Sequence, residues 1–194
     1  MSEAGPDATL VRHGETIWTL SGQHTGRTDL ELTEIGEMQA KRAGSLVGSK
    51  PFDLVLVSPR RRARRTAELA GLTPYEIEDD LQEWDYGDFE GLTTAEIHEK
   101  HPGWSIWNGP WVGGETAEEV EARADRVIAR VRGLGPGSRV ALVAHGHFLR
   151  VLGARWVGQP ATGGKSLGLD TAAVCHLSWE HDYPIVHRWN FTAP

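Results

Sequence analysis

Apolar residues in this chain fall into short unbroken runs separated by longer stretches of helical spacing. The runs at 9–11, 52–57 and 139–144 are nearly all apolar, as strands buried on both faces are. A short strand is expected at 75–77, and 171–179 with 184–191 predict a closing hairpin. Between the strands, Thr33 reads as an N-cap, with Ile35, Met38, Ala43, Leu46 and Val47 on one helical face. Gly44 weakens that helix and Gly48 ends it. Ser58-Pro59 reads as an N-cap with proline at the first helical position, opening a helix to about residue 70. Thr93-Thr94-Ala95-Glu96 and Thr116-Ala117-Glu118-Glu119 both have capping-box spacing. Pro102 ends the first of these helices. The second carries Val120, Ala124, Val127, Ile128 and Val131 on one side. A last helix is expected from Phe148 to about residue 157. Strands alternating with helices, without repeat or linker, predict one α/β domain over 1–194, with 1–6 a loose tail.

The polar intervals are as informative. Residues 20–29 are rich in glycine and polar side chains, so they predict a loop at a strand end, where function often resides. Residues 81–91 mix acids, aromatics and glycines and predict an irregular segment. Trp104, Trp107 and Trp111 follow no period; they read as the wall of a pocket or as packing under a long loop.

Charge and composition narrow the partners. A formal net charge of -7 argues against general nucleic-acid binding. The lone cysteine, Cys175, rules out an internal disulfide and a thiolate metal site, and suits a reducing cytosol. No apolar run approaches the ~20 residues that cross a bilayer, and residues 1–6 lack the basic and apolar regions of a secretory signal. The expectation is a soluble cytoplasmic protein with no membrane partner.

Three apolar strands run into chemistry: Arg12-His13-Gly14, Ser58 with the arginines at 60, 61, 62, 64 and 65, and His145-Gly146. The first could be a plain surface turn. In a parallel sheet, however, these ends share one edge, where α/β folds bind ligands. Arginines and histidines converging there suit a phosphoryl group; most of the five clustered arginines must face water. A positive field discourages a second proton on histidine and leaves the lone pair a nucleophile needs. A departing alkoxide also needs an acid. Glu83, beside aromatics, is the first candidate because desolvation favours a protonated carboxyl; Asp85 and Glu90 are rivals.

Arg12-His13-Gly14-Glu15-Thr16 resembles the signature of the histidine phosphatase superfamily, which includes the cofactor-dependent phosphoglycerate mutases. Thr25-Gly26 with Asp29 and Leu32-Thr33 is similar to that family's substrate loop and following helix. Ser58-x-x-x-Arg62-Ala63-x-x-Thr66-Ala67 is similar to its second arginine motif and singles out Arg62. Leu81-x-Glu83-x-x-x-Gly87-x-x-Glu90-Gly91 resembles the motif of the proton donor, and Ala144-His145-Gly146 that of the second histidine. The likeness covers about 8–150. It implies a three-layer α/β/α fold with a mostly parallel mixed sheet, phosphoglycerate mutase-like. It also implies a metal-independent phosphomonoesterase, without cofactor, acting on small phosphorylated metabolites. His13 would become phosphohistidine, Glu83 would protonate the leaving oxygen and then activate water, and Arg12, Arg62 and His145 would hold the non-bridging oxygens.

Thr19 stands where the mutases usually have asparagine. The interval after the Glu83 motif holds tryptophans, with Lys100 and His101 nearby, rather than the mutases' basic clamp. The first puts one polar contact to the phosphoryl group in doubt; the second favours hydrolysis, with a mutase or a non-catalytic phospho-ligand sensor as alternatives. The 21–29 loop and His145-Gly146-His147-Phe148 resemble a phosphatase branch that includes actinobacterial acid phosphatases and sugar-bisphosphate phosphatases. Thr19, Gln23, Thr25, Gly26, Arg27 and Gly146 are expected around the substrate, with Gln23, His24 and Arg27 toward its distal part. His147 could be a pocket residue, but reads first as a structural histidine. His98, His101, His176, His181 and His187 lack metal-ligand spacing. A homodimer through an edge strand is left open.

Overall fold

The three apolar runs become the centre of one sheet. In a computed structural model, which describes residues 5–193, β1 (Asp7–Arg12), β2 (Leu54–Val57) and β4 (Arg139–Ala144) are parallel neighbours, and β3 (Glu76–Ile77) adds a short parallel edge. On the other side β5 (Val174–Glu180) and β6 (Tyr183–Phe191) pair antiparallel as a hairpin, giving the order β3-β2-β4-β1-β5-β6. Register sets the consequence. Val11 and Val57 both lie opposite Val143, and Arg12 lies opposite Ala144. The three central strands therefore finish level, and His13, Ser58 and His145 leave the sheet side by side.

Alternation along each strand makes two cores. Leu10, Leu56, Leu142, Cys175 and Leu177 face α5 (Ala117–Arg132) and α6 (Gly146–Trp156). Val11, Val57, Val143 and Val174 face α2 (Glu34–Val47) and α3 (Arg61–Leu69). This is the mixed, mostly parallel sheet between two helical layers that the resemblance implies. No helix among the described residues is long and apolar enough to cross a membrane.

Several local expectations change. A five-residue helix, Ile17–Ser21, forms inside what reads as loop, because Thr16 caps it and Thr19 returns the bond in a capping box. On α2, Ile35 and Met38 are exposed, and the buried face is Gly36, Ala40, Ala43 and Val47. The helix lies too close to its neighbours for large side chains: a Cβ on Gly36 would sit 2.1 Å from the Glu15 carbonyl oxygen, and one on Gly44 would sit 2.9 Å from that of Ala70. The helix after β2 begins at Arg61, not at Pro59: Ser58 Oγ meets His145 Nε2 at 2.7 Å and accepts from Arg60 N only at 3.4 Å. The helix after β4 begins at Gly146, two residues early, with His145 as the cap residue. Strand β5 starts at Val174 rather than 171, after Ala172 turns through a positive φ of 56°. Of the expected loose tail, residues 1–4 lie outside the described residues; Pro6 is buried and its carbonyl accepts from Trp179 Nε1 at 3.0 Å.

Gly36→Ala tests the close packing. Alanine gains about 1 kcal/mol of helix propensity over glycine, but a methyl pressed on backbone cannot escape by changing rotamer. The expected net result is a loss of about 1–3 kcal/mol, read as a lower denaturant midpoint at unchanged slope.

Candidate active site

Past Arg12 the first strand turns sharply, and His13 lies only 3% exposed. The turn is tied down on both sides. The Gly14 N–H donates to Thr66 Oγ1 at 3.1 Å, and the His13 carbonyl accepts from Ala172 N at 3.0 Å. His13 Nδ1 lies 2.8 Å from the Gly14 carbonyl. A carbonyl only accepts, so Nδ1 carries the hydrogen and Nε2 keeps its lone pair. Burial, then the charges of Arg62 and Arg12, hold the ring's pKa well below 6.5, so it stays neutral at ordinary pH.

The second histidine is locked in the complementary way. His145 Nδ1 accepts from Arg62 Nε at 3.1 Å, so its Nε2–H donates to Ser58 Oγ at 2.7 Å. Its ring centroid lies 5.1 Å from that of His13. Burial and the neighbouring Arg62 push its pKa well down as well. Arg62 is fully buried; its Nη1 donates to Thr28 O at 2.8 Å and its Nη2 to Thr25 O and Gly26 O. One of its five N–H groups remains for a ligand. Arg62 and His145 therefore stand beside His13, each tied to protein partners. In this arrangement both ring nitrogens of His145 have protein partners.

Arg12 comes from the open side. Its Nη1 donates to the Leu169 carbonyl, while its Nε is buried without a partner. Gly146 lets the guanidinium lie close, since a Cβ there would be 3.2 Å from Arg12 Cζ. Burial lowers the Arg12 pKa, partly offset by the Glu83 charge. Glu83 itself is 8% exposed. Its Oε1 accepts from Trp84 N at 2.9 Å and Phe148 N at 2.8 Å, and its Oε2 from His147 N at 3.0 Å. Two of these donors are the unpaired N–H groups at the start of α6. The carboxyl thus sits among backbone donors rather than bare aromatic walls. Its rivals are engaged elsewhere: Asp85 pairs with Arg27 at 2.6 Å, and Glu90 accepts from Gly26 N and Thr28 N.

Arg12, His13 and Glu83 share a cavity of about 190 Å³ with Thr19, Gln23, Thr25 and Gly146. Gly26 and Arg27 lie outside it, against a separate hollow behind Glu83. Gly26 instead braces Arg62 and Glu90, and Arg27 reaches Asp85 with its side chain 76% exposed. Tyr86 and Arg150 line the cavity unforeseen, together with His147. His147 Nδ1 meets the Tyr86 hydroxyl at 2.6 Å, so this histidine is a pocket residue after all. A signal for it existed: His147 and Arg150 are three apart at the start of α6, hence on one face. Tyr86, in an irregular segment, offered none. None of Trp104, Trp107 and Trp111 lines the cavity: Trp104 and Trp107 pack behind its lining, on His24 at 5.3 Å and on His147 at 5.4 Å, and Trp111 bonds to Ile106 O. A larger hollow of about 610 Å³, beside Phe52 and Leu72 at the opposite end of the strands, contains none of these groups.

Arg12, the neutral His13 and the Glu83 carboxyl around one small cavity, with Arg62 beside His13, suit the transfer of a phosphoryl group. A model of the histidine phosphatase superfamily, branch 1, matches residues 8–192. The chain belongs to that superfamily. This histidine phosphatase is 44% identical to an acid phosphatase of Mycobacterium tuberculosis, over 89% of its own length and 86% of the relative's. It is 38% identical to sedoheptulose 1,7-bisphosphatase of Saccharomyces cerevisiae, over 81% and 70%. Its fold superposes on the solved product of an M. tuberculosis open reading frame with a TM-score of 0.92 and 41% identity, over 96% and 97% of the two chains. These relatives support a phosphatase over a mutase.

The buried neutral histidines of this phosphatase predict a pH dependence. Below pH 6.5 the unfolded chain takes up protons that folded His13, His145 and His147 refuse, and His24, lowered to about 4 by burial, behaves alike. The folded state then binds fewer protons, so stability falls as pH falls. Urea unfolding should show the loss between pH 6.5 and about 5, above the carboxylate range, at up to ~1.4 kcal/mol per pH unit for each such histidine. A flat profile there contradicts the neutral cluster.

Proposed function

We propose that this enzyme hydrolyses phosphomonoesters of small metabolites through a phosphohistidine on His13. The observation that carries the reading is the tautomer: the Gly14 carbonyl holds the hydrogen on Nδ1, leaving Nε2 as an unprotonated nucleophile in the cavity shared by Arg12 and Glu83. In the first step the Nε2 lone pair forms a bond to phosphorus and the ester P–O bond breaks. Glu83 in its protonated form gives its proton to the departing oxygen, and an alcohol leaves. Oε2, which accepts one N–H where Oε1 accepts two, is the oxygen with room for that proton. In the second step water attacks phosphorus, the Glu83 carboxylate takes the water proton, and the P–N bond breaks to release inorganic phosphate and neutral His13.

Positive charge for the transition state comes from the guanidinium groups. Arg12, with its unpartnered Nε, faces the non-bridging oxygens, while Arg62 and His145 support them from beside His13. A volume of about 190 Å³ is below the ~300–1,000 Å³ of pockets for drug-sized ligands, which favours a small phosphorylated metabolite. The yeast relative's name makes sugar phosphates the first substrates to assay.

Incubation with a labelled phosphoester followed by rapid quenching should trap a base-stable, acid-labile phosphoenzyme in the wild type and none in His13→Ala. Glu83→Gln should lower kcat/KM toward alkyl phosphates by about 10²–10⁴-fold. A His13→Ala enzyme that turns over at the wild-type rate contradicts the mechanism, and a wild type that binds phosphate without turnover favours the sensor.

A further inference from the structure

The residue that must deliver a proton, Glu83, stands on a stretch of chain with no strand or helix of its own, between the 3-10 turns Asp79–Leu81 and Gly87–Phe89. Backbone in such a segment needs acceptors and donors from elsewhere. One side chain supplies most of the donors. Arg123, on α5, donates from Nη1 to the carbonyls of Asp80 at 2.7 Å and Gln82 at 3.0 Å, and from Nη2 to that of Glu83 at 3.4 Å. Its Nε and Nη2 also form a fork on Glu115, each 2.7 Å from a carboxylate oxygen. Glu115 completes the grip: its Oε2 accepts from Asp85 N at 3.0 Å, its N–H donates to Asp85 O at 3.0 Å, and its carbonyl accepts from Trp84 Nε1 at 2.8 Å.

The same guanidinium lies over the Phe148 ring, 4.9 Å from its centroid. Phe148 is the residue whose backbone N–H donates to Glu83 Oε1. Arg123 therefore touches both supports of the Glu83 side chain, the backbone beneath it and the first turn of α6 in front of it. It does not line the substrate cavity, but it lines the hollow behind Glu83. Both partners of the ion pair are largely buried, with side chains 12% and 23% exposed. Such a pair adds little net stability over an apolar replacement, so its value lies in geometry.

We infer that Arg123, clamped by Glu115, is a positioning residue that holds the Glu83 carboxyl within reach of the leaving oxygen. The inference rests on the phosphatase reading above and adds a residue to it. A planar fork with five fixed donors is what spans three carbonyls and a carboxylate at once; a lysine would preserve the charge and lose the span. A displacement near 1 Å in a proton donor is enough to cost roughly 10²-fold in rate.

Leaving-group dependence separates this role from general stabilisation. A p-nitrophenolate departs readily without a proton, whereas the alkoxide of glycerol phosphate requires one. For Arg123→Lys and, independently, Glu115→Gln, kcat/KM toward glycerol phosphate should fall by roughly 10²-fold and toward p-nitrophenyl phosphate far less, following the pattern of Glu83→Gln. Thermal unfolding identifies the variants that fold, and the isosteric Glu115→Gln carries the test if Arg123→Lys does not. Equal losses on both esters in a folded variant, or wild-type behaviour of Arg123→Lys, overturn the clamp while leaving the phosphatase reading intact. A wild type that hydrolyses neither ester overturns the phosphatase reading, and the clamp with it.

Discussion

The structure turns on an uncharged imidazole kept among guanidinium groups. His13 is buried beside Arg12 and Arg62, and each of these charges opposes a second proton on the ring. The Gly14 carbonyl then decides which nitrogen keeps the one proton that is present. Neither effect suffices alone. Burial without the carbonyl leaves the tautomer undecided, and the carbonyl without burial leaves a ring that titrates near neutrality. Together they leave one lone pair in a positive cavity, which is what attack on a phosphoryl group requires.

Much of the surrounding chain serves that arrangement. The 13–15 turn can press against α2 because Gly14 and Gly36 have no Cβ to separate them. Thr66, on the same helix as Arg62, anchors the Gly14 N–H. Ser58 orients His145 while accepting only a long bond from Arg60 N, and His145 in turn accepts from Arg62. The 25–28 loop, which reads as a substrate loop, uses its carbonyls to hold Arg62 in place. Arg62 and the neutral His145 are thus fixed beside His13 before any ligand arrives, the condition under which electrostatic stabilisation is most effective.

The carboxyl on the opposite wall is held by a different device. Two N–H groups at the start of α6 and that of the adjacent Trp84 donate to its oxygens, so the amino end of a helix supports the acid as well as shaping the cavity. Its position is consequently set by α6 on one side and by the Arg123–Glu115 pair on the other. The aromatic and histidine wall of His24, Tyr86 and His147 stands farther out and is uncharged where its histidines are concerned. Arg150 adds a cation at the rim, stacked 4.6 Å over Trp107.

The central strands, the two helical layers and the meeting of Arg12, His13, Glu83 and the Arg62–His145 pair were legible from the sequence. Unbroken apolar runs make buried parallel strands, and parallel strands in register end on one edge. The capping boxes of the helices at 94–100 and 117–132 were equally local signals. What composition along the chain could not convey was which face of a residue meets which neighbour. Ile35 and Met38 look like core and are exposed because α2 approaches the sheet through glycine and alanine. Arg27 looks like a substrate contact and pairs with Asp85, and His147 looks structural and lines the cavity. Arg123 carries no motif at all. These outcomes depend on contacts between residues tens of positions apart, where distances of a few ångströms decide, and only the folded chain sets such distances.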